Sequence, residues 1–114
     1  MITIYCDSSL TEVCVVAGVF TRFIEHSRKV TVNEGEYYAI IHAILQSTDA
    51  NVPALIRSDS QLIVNQINGV YKCHQPNLLP LRDTARDLIK DRDIIIRWIP
   101  REENLAGIAL EKRK

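Results

Sequence analysis

Three acids stand where the surrounding sequence makes an acid unexpected. Asp7 ends the alternating stretch Ile2-Thr3-Ile4-Tyr5-Cys6, and Asp59 ends the short run Ala54-Leu55-Ile56-Arg57-Ser58. Glu36 falls in the first turn of an otherwise apolar helical stretch. Taken singly, an acid after a strand forms a turn or caps a helix, and a first-turn Glu complements the helix dipole. Taken together they suggest more. If the two strands are neighbours and the helix packs over them, the three carboxylates converge. Converging carboxylates repel one another unless a cation neutralises them. A donor set of hard oxygens, with no His or Cys at ligand spacing, suits Mg²⁺ or Mn²⁺ rather than zinc. Two such ions about 4 Å apart activate a water and stabilise a leaving oxygen in phosphodiester hydrolysis.

The elements that must position these acids are legible from periodicity. Ile2, Ile4 and Cys6 alternate with Thr3, Tyr5 and Asp7, as in a strand. Val13 to Phe20 is apolar throughout, which suits a central strand covered on both faces. A turn is expected at Thr21-Arg22, then a third, more exposed strand over Phe23 to Val32. Tyr37, Ile40, Ile41, Ile44 and Leu45 follow helical spacing, with Asn33 as the expected cap. Residues 54–59 form a fourth strand after Pro53, and Gln61 to Asn68 a helix ended by Gly69. Asn77 is the expected cap of a further helix bearing Leu78, Leu81, Ala85, Leu88 and Ile89, with Pro80 tolerated in its first turn. Ile94 to Ile99 is a fifth strand, with Trp98 expected to pack in the core. A charged helix from about Glu102 closes the chain and ends in a frayed Lys112-Arg113-Lys114 tail. The order β-β-β-α-β-α-α-β-α implies one α/β domain over residues 1–114. Its five-stranded sheet is mixed, with helices on its faces. In such open sheets the ligand site lies beyond the carboxyl ends of parallel strands, where Asp7 and Asp59 stand.

Composition sets the outer bounds. The chain has 114 residues, 46% of them hydrophobic, enough for a real core. Lys plus Arg equals Asp plus Glu at 14 each, so a polyanion must be held by a local patch or by metal ions. Cys6, Cys14 and Cys73 are odd in number and lack C-x-x-C spacing, so buried thiols in a reducing compartment are expected. Asp7 comes too early for a signal peptide to precede it, and no apolar run reaches the roughly 18 residues that span a membrane. These features point to a soluble, cytoplasmic protein with no obligatory protein partner.

Four segments stand out in order: Ile4-Tyr5-Cys6-Asp7-Ser8-Ser9, Asn33-Glu34-Gly35-Glu36-Tyr37-Tyr38-Ala39-Ile40, Ser58-Asp59-Ser60-Gln61-Leu62-Ile63-Val64-Asn65-Gln66, and Trp98-Ile99-Pro100-Arg101-Glu102-Glu103-Asn104-Leu105-Ala106. Together they resemble the type 1 ribonuclease H family, over nearly the whole chain. The resemblance implies the ribonuclease H-like fold. It also implies Mg²⁺-dependent endonucleolytic cleavage, by two metal ions, of the RNA strand of an RNA–DNA hybrid. Carried over, Asp7, Glu36 and Asp59 are the catalytic and metal-binding acids, with Mn²⁺ as the substitute ion. Glu36 would also lie near the 2′-hydroxyl that marks RNA. Asn33, Ser60, Gln61 and Asn104 are the expected hybrid contacts.

One position departs from the family. Its fourth acid follows N-x-A, and here Asn104-Leu105-Ala106 is followed by Gly107. Glu103, four residues earlier, and Glu111, four later, would share a face with position 107 on a continuous helix, with Glu103 nearer the expected site. Water is the other substitute, because Mg²⁺ keeps several water ligands. The alternative to an enzyme is a weakened or inactive module that binds nucleic acid or a partner protein. Retention of three mutually repelling acids favours the enzyme.

Overall fold

The computed structural model describes residues 1–114. Strands β1 (Ile2–Ser8), β2 (Glu12–Ala17) and β3 (Phe20–Glu25) form a meander, followed by helix α1 (Val32–Ala50). Strand β4 (Ala54–Ser58), helices α2 (Gln61–Ile67) and α3 (Leu79–Ile89), strand β5 (Ile94–Trp98) and helix α4 (Leu105–Lys112) complete the chain. The sheet order is β3-β2-β1-β4-β5. The meander pairs are antiparallel, whereas β1–β4 and β4–β5 are parallel. The mixed five-stranded sheet expected from the sequence is therefore present, in the expected element order.

The strand pleat sends alternate residues to opposite faces. Ile4 and Cys6 of β1, Val13 and Val15 of β2, Ile56 of β4 and Ile96 of β5 pack against α1, α2 and α3. Cys14, Val16 and Tyr5 point the other way, onto Ala106 and Leu110 of α4. Strand β2 is thus buried on both faces, as its apolar run implies. All three cysteines are buried and free. No helix is long and apolar enough to cross a membrane.

Several boundaries differ from the sequence reading. The hairpin turn falls at Gly18-Val19 rather than Thr21-Arg22, because Gly18 adopts φ +60 and Ala17 pairs directly with Phe20. The third strand therefore starts three residues earlier and ends at Glu25. Helix α1 is capped by Thr31, not Asn33. The Thr31 side chain accepts from the Glu34 N–H while the Glu34 side chain accepts from the Thr31 N–H, a reciprocal capping box. Leu45 lies off the buried stripe, 38% exposed. Asn77 does not cap α3. The Leu78 and Leu79 N–H groups both donate to Gln75 O, so a backbone turn starts that helix while the Leu78 side chain is buried. Trp98 is 46% exposed rather than in the core, and its Nε1 donates to Asp59 O at the end of the sheet.

The C-terminal region is not one helix from Glu102. A single 3-10 turn covers Arg101–Glu103, Asn104 is extended at φ −85 and ψ 102, and α4 begins after it. The tail is docked rather than frayed at Arg113. Its guanidinium donates twice to Glu12 at 2.9 Å and lies 4.0 Å from the centre of the Phe23 ring.

One buried polar pair ties α1 to α2. The Tyr37 hydroxyl donates to Gln66 Oε1 at 2.6 Å, and both residues are inaccessible to solvent. Tyr37→Phe leaves that carbonyl oxygen without its partner. It should cost about 1–3 kcal/mol in chemical denaturation, the desolvation penalty of an unpaired buried group. A cost near zero would show that the pair contributes nothing net.

Candidate active site

The parallel register of β1 and β4 explains why two acids meet. Tyr5 is aligned with Arg57, so Asp7 and Asp59, each two residues further on, leave the carboxyl ends of neighbouring strands side by side. The first turn of α1 brings the third. Glu36 Oε1 accepts the Ser8 N–H at 2.9 Å. Gly35 makes this approach possible, because a methyl group there would overlap Ser8 Oγ. Asp7, Glu36 and Asp59 each place a carboxylate oxygen within 4.8 Å of the others, as the sequence reading expected.

The cluster is electrostatically strained. Burial pushes the Glu36 carboxyl up to about 9, aided by the charges of Asp7 and Asp59. Burial and the charge of Asp59 also raise Asp7, against a hydrogen bond with the Glu36 side chain, the Ser8 N–H and Arg101, which lower it. Three oxygen donors that resist ionising together fit a divalent cation on chemical grounds.

The remaining expected residues divide. Asn33 and Ser60 line the same cleft of about 290 Å³, with Asp7, Ser8, Val32, Glu36, Asp59 and Arg101. Ser60 also caps α2 by accepting from the Ile63 N–H. Gln61 is exposed and stands outside that lining. Asn104 is completely buried, out of reach of a substrate, and both of its amide hydrogens are taken. Its Nδ2 donates to Cys6 O at 3.0 Å and Asp59 Oδ2 at 2.9 Å, and its Oδ1 accepts from the Ala106 N–H. It is a brace that fixes Asp59 and starts α4.

Glu103 does not join the acids. It is exposed on the 3-10 turn, which the extended Asn104 separates from α4, so the helical spacing that would bring it beside position 107 does not exist. Glu111 is exposed too and pairs with Lys114. Gly107 itself sits over the cluster. A Cβ there would lie 2.8 Å from Asp7 Oδ2 and 3.7 Å from Asp59 Oδ2. Arg101 was not singled out from the sequence. It is the first charged residue after β5, and the parallel β4–β5 pairing brings that strand end to the rim of the site.

Comparison with known proteins agrees with this fold. The family model described as "Reverse transcriptase-like" matches residues 13–113. The chain belongs to this family, whose members here are type 1 ribonucleases H. Ribonuclease HI of Halobacterium salinarum is 33% identical over 84 residues, covering 72% of this chain and 42% of that protein. The chain therefore corresponds to less than half the length of that relative. The crystal structure of RNase H1 from the same archaeon superposes with a TM-score of 0.82 at 27% identity, covering 96% of this chain and 92% of the other. LC11-RNase H1, solved in complex with an RNA/DNA hybrid, gives a TM-score of 0.84 at 25% identity, covering 96% and 93%. These ribonuclease H structures share the mixed sheet with helices on its faces.

The raised Glu36 carboxyl sets a pH dependence for the metal-free protein. The folded state keeps that proton up to about 9, whereas the unfolded chain releases it near 4.5. Between these values the folded state binds more protons, so its stability falls as pH rises. Thermal melts in EDTA should show the melting temperature rising as pH is lowered from about 9 toward 4.5. Glu36→Gln should flatten the slope. A melting temperature that rises with pH across this window would contradict the burial of Glu36 as a shared acid.

Proposed function

We propose that this chain is a metal-dependent endonuclease that hydrolyses the RNA strand of RNA–DNA hybrids. The observation that carries the reading is the convergence of Asp7, Glu36 and Asp59 within 4.8 Å at the end of a ribonuclease H-like sheet. A hybrid bound to LC11-RNase H1 supports the same substrate class here.

Asp7, Glu36 and Asp59 would hold Mg²⁺, or Mn²⁺ in its place. Bound there, the metal supplies Lewis acidity and a water activated near neutral pH. The residues of the chain do the rest. The Ser8 N–H fixes Glu36, and the Asn104 amide fixes Asp59, so the acids are held before substrate arrives. Both braces are neutral donors and leave the negative charge available for cations. Arg101 is the one cation lining the cleft, and its guanidinium would pair there with a substrate phosphate. Asn33 and Ser60 line the same cleft and would contact sugar or phosphate there.

Gly107 favours a second reading, a weakened or non-cutting hybrid binder. No side chain from α4 joins the three acids, although its backbone at Gly107 is close enough for one to do so. Water filling that position keeps catalysis possible.

Cutting of a labelled RNA–DNA hybrid at low salt, in Mg²⁺ and separately in Mn²⁺, tests the reading. Wild-type protein should cut the hybrid and leave double-stranded RNA intact. Asp7→Asn should lose more than about 100-fold, beyond the usual cost of an outer-shell partner. Gly107→Asp should raise cutting in Mg²⁺, with Asp7 Oδ2 shifting to admit the new side chain. Hybrid binding without cutting in either metal would transfer the chain to the second reading.

Arg101→Ala should raise KM more than it lowers kcat. It should also reduce the slope of log affinity against log salt by about one, as expected for one lost phosphate contact. An unchanged slope would remove Arg101 from the substrate interface.

A further inference from the structure

His26, the residue after β3, turns its ring back toward the end of β1. Its Nε2 lies 3.1 Å from Ser8 Oγ and 3.0 Å from Ser9 O. Ser8 Oγ donates to the same carbonyl at 2.8 Å. A carbonyl oxygen only accepts, so the Nε2 of His26 carries the hydrogen that reaches it. The backbone N–H of His26 donates to Thr11 O, and the Ser9 N–H donates to Glu12 O. The turn from Ser8 to Thr11 is therefore held at both ends by one residue of the neighbouring element.

The other side of that turn is the metal cluster. The Ser8 N–H is the one backbone hydrogen bond that the Glu36 carboxylate receives. A methyl on Gly35 would overlap Ser8 Oγ and lie 3.6 Å from His26 Nε2, so ring, turn and the first turn of α1 pack at one point. Glu36 is buried, and its other polar neighbours are the carboxylates of Asp7 and Asp59. The Ser8 N–H fixes one oxygen of that carboxylate. Ser8 is the last residue of β1, paired with Val13, and His26 holds the chain where it leaves that pairing, through Ser8 Oγ and Ser9 O.

We propose that His26 is a positioning residue of the metal centre, acting through the Ser8–Ser9 turn to orient Glu36. This rests on the reading of Asp7, Glu36 and Asp59 as a divalent-cation site. His26 touches neither ion nor substrate in this scheme. Its contribution is to the affinity of the centre, through a donor placed where only a side chain of its reach can place one.

Calorimetric Mn²⁺ titration of wild-type protein, His26→Ala and His26→Gln tests the proposal, alongside the melting temperature of each in EDTA. Gln carries an Nε2 donor at nearly the reach of the imidazole Nε2. His26→Ala should weaken Mn²⁺ binding about tenfold, the lower end of the cost of an outer-shell partner. His26→Gln should recover most of that loss. A purely structural His26 would lower the EDTA melting temperature and leave the Mn²⁺ affinity of the folded protein unchanged, which would overturn the proposal. Loss that Gln fails to recover would overturn the donor role. Absence of Mn²⁺ binding by the wild type would overturn the cation site and this inference with it, whereas equal affinity in all three proteins would overturn this inference alone.

Discussion

Mutual repulsion among Asp7, Glu36 and Asp59 is the constraint around which the rest of this fold is arranged. Carboxylates this close, with Glu36 buried and Asp7 and Asp59 half-buried, cannot all ionise cheaply in the absence of a cation. The parallel pairing of β1 and β4 forces Asp7 and Asp59 into adjacency. The capping box at Thr31 starts α1 at the residue that carries Glu36 to the same edge. Two glycines let helices close on the acids: Gly35 against Ser8, and Gly107 over Asp7 and Asp59. Each feature brings negative charge or backbone nearer to a point where a cation would relieve the strain.

The neighbours of the acids are chosen to leave that strain in place. Ser8 and Asn104 offer neutral N–H donors, which orient a carboxylate without cancelling its charge. Arg101 is the single cation of the lining and is itself exposed, so solvent screens it. With 14 basic and 14 acidic residues, the chain has no general attraction for a polyanion. On the proposed function, substrate affinity then depends on the bound ions and a few local contacts. Such a small ribonuclease H would be sensitive both to metal and to salt.

Much of this was legible in the sequence, and the failures have identifiable causes. Asp7 and Asp59 are readable because a strand that ends on an acid is a local pattern, and the element order makes their strands parallel neighbours. Thr31 was readable as well, since Thr31-Val32-Asn33-Glu34 is a capping box in plain sequence, yet Asn33 is an equally good cap by residue type. The hairpin at Gly18-Val19 was hidden by an apolar run that continues through an exposed edge strand, where Phe20 is 74% exposed. Glu103 was misread because helical spacing was extended across Asn104, whose buried amide breaks the helix to brace Asp59. Trp98 and Arg101 depend on which strand ends meet, and periodicity along one segment does not report that.

The most direct test is a crystal of the protein grown or soaked with Mn²⁺ and measured for anomalous scattering. The expected result is an anomalous peak bounded by oxygens of Asp7, Glu36 and Asp59, with any second peak weaker and on the side facing Gly107. Anomalous density elsewhere, or an empty carboxylate cluster at saturating Mn²⁺, would contradict the account at its centre.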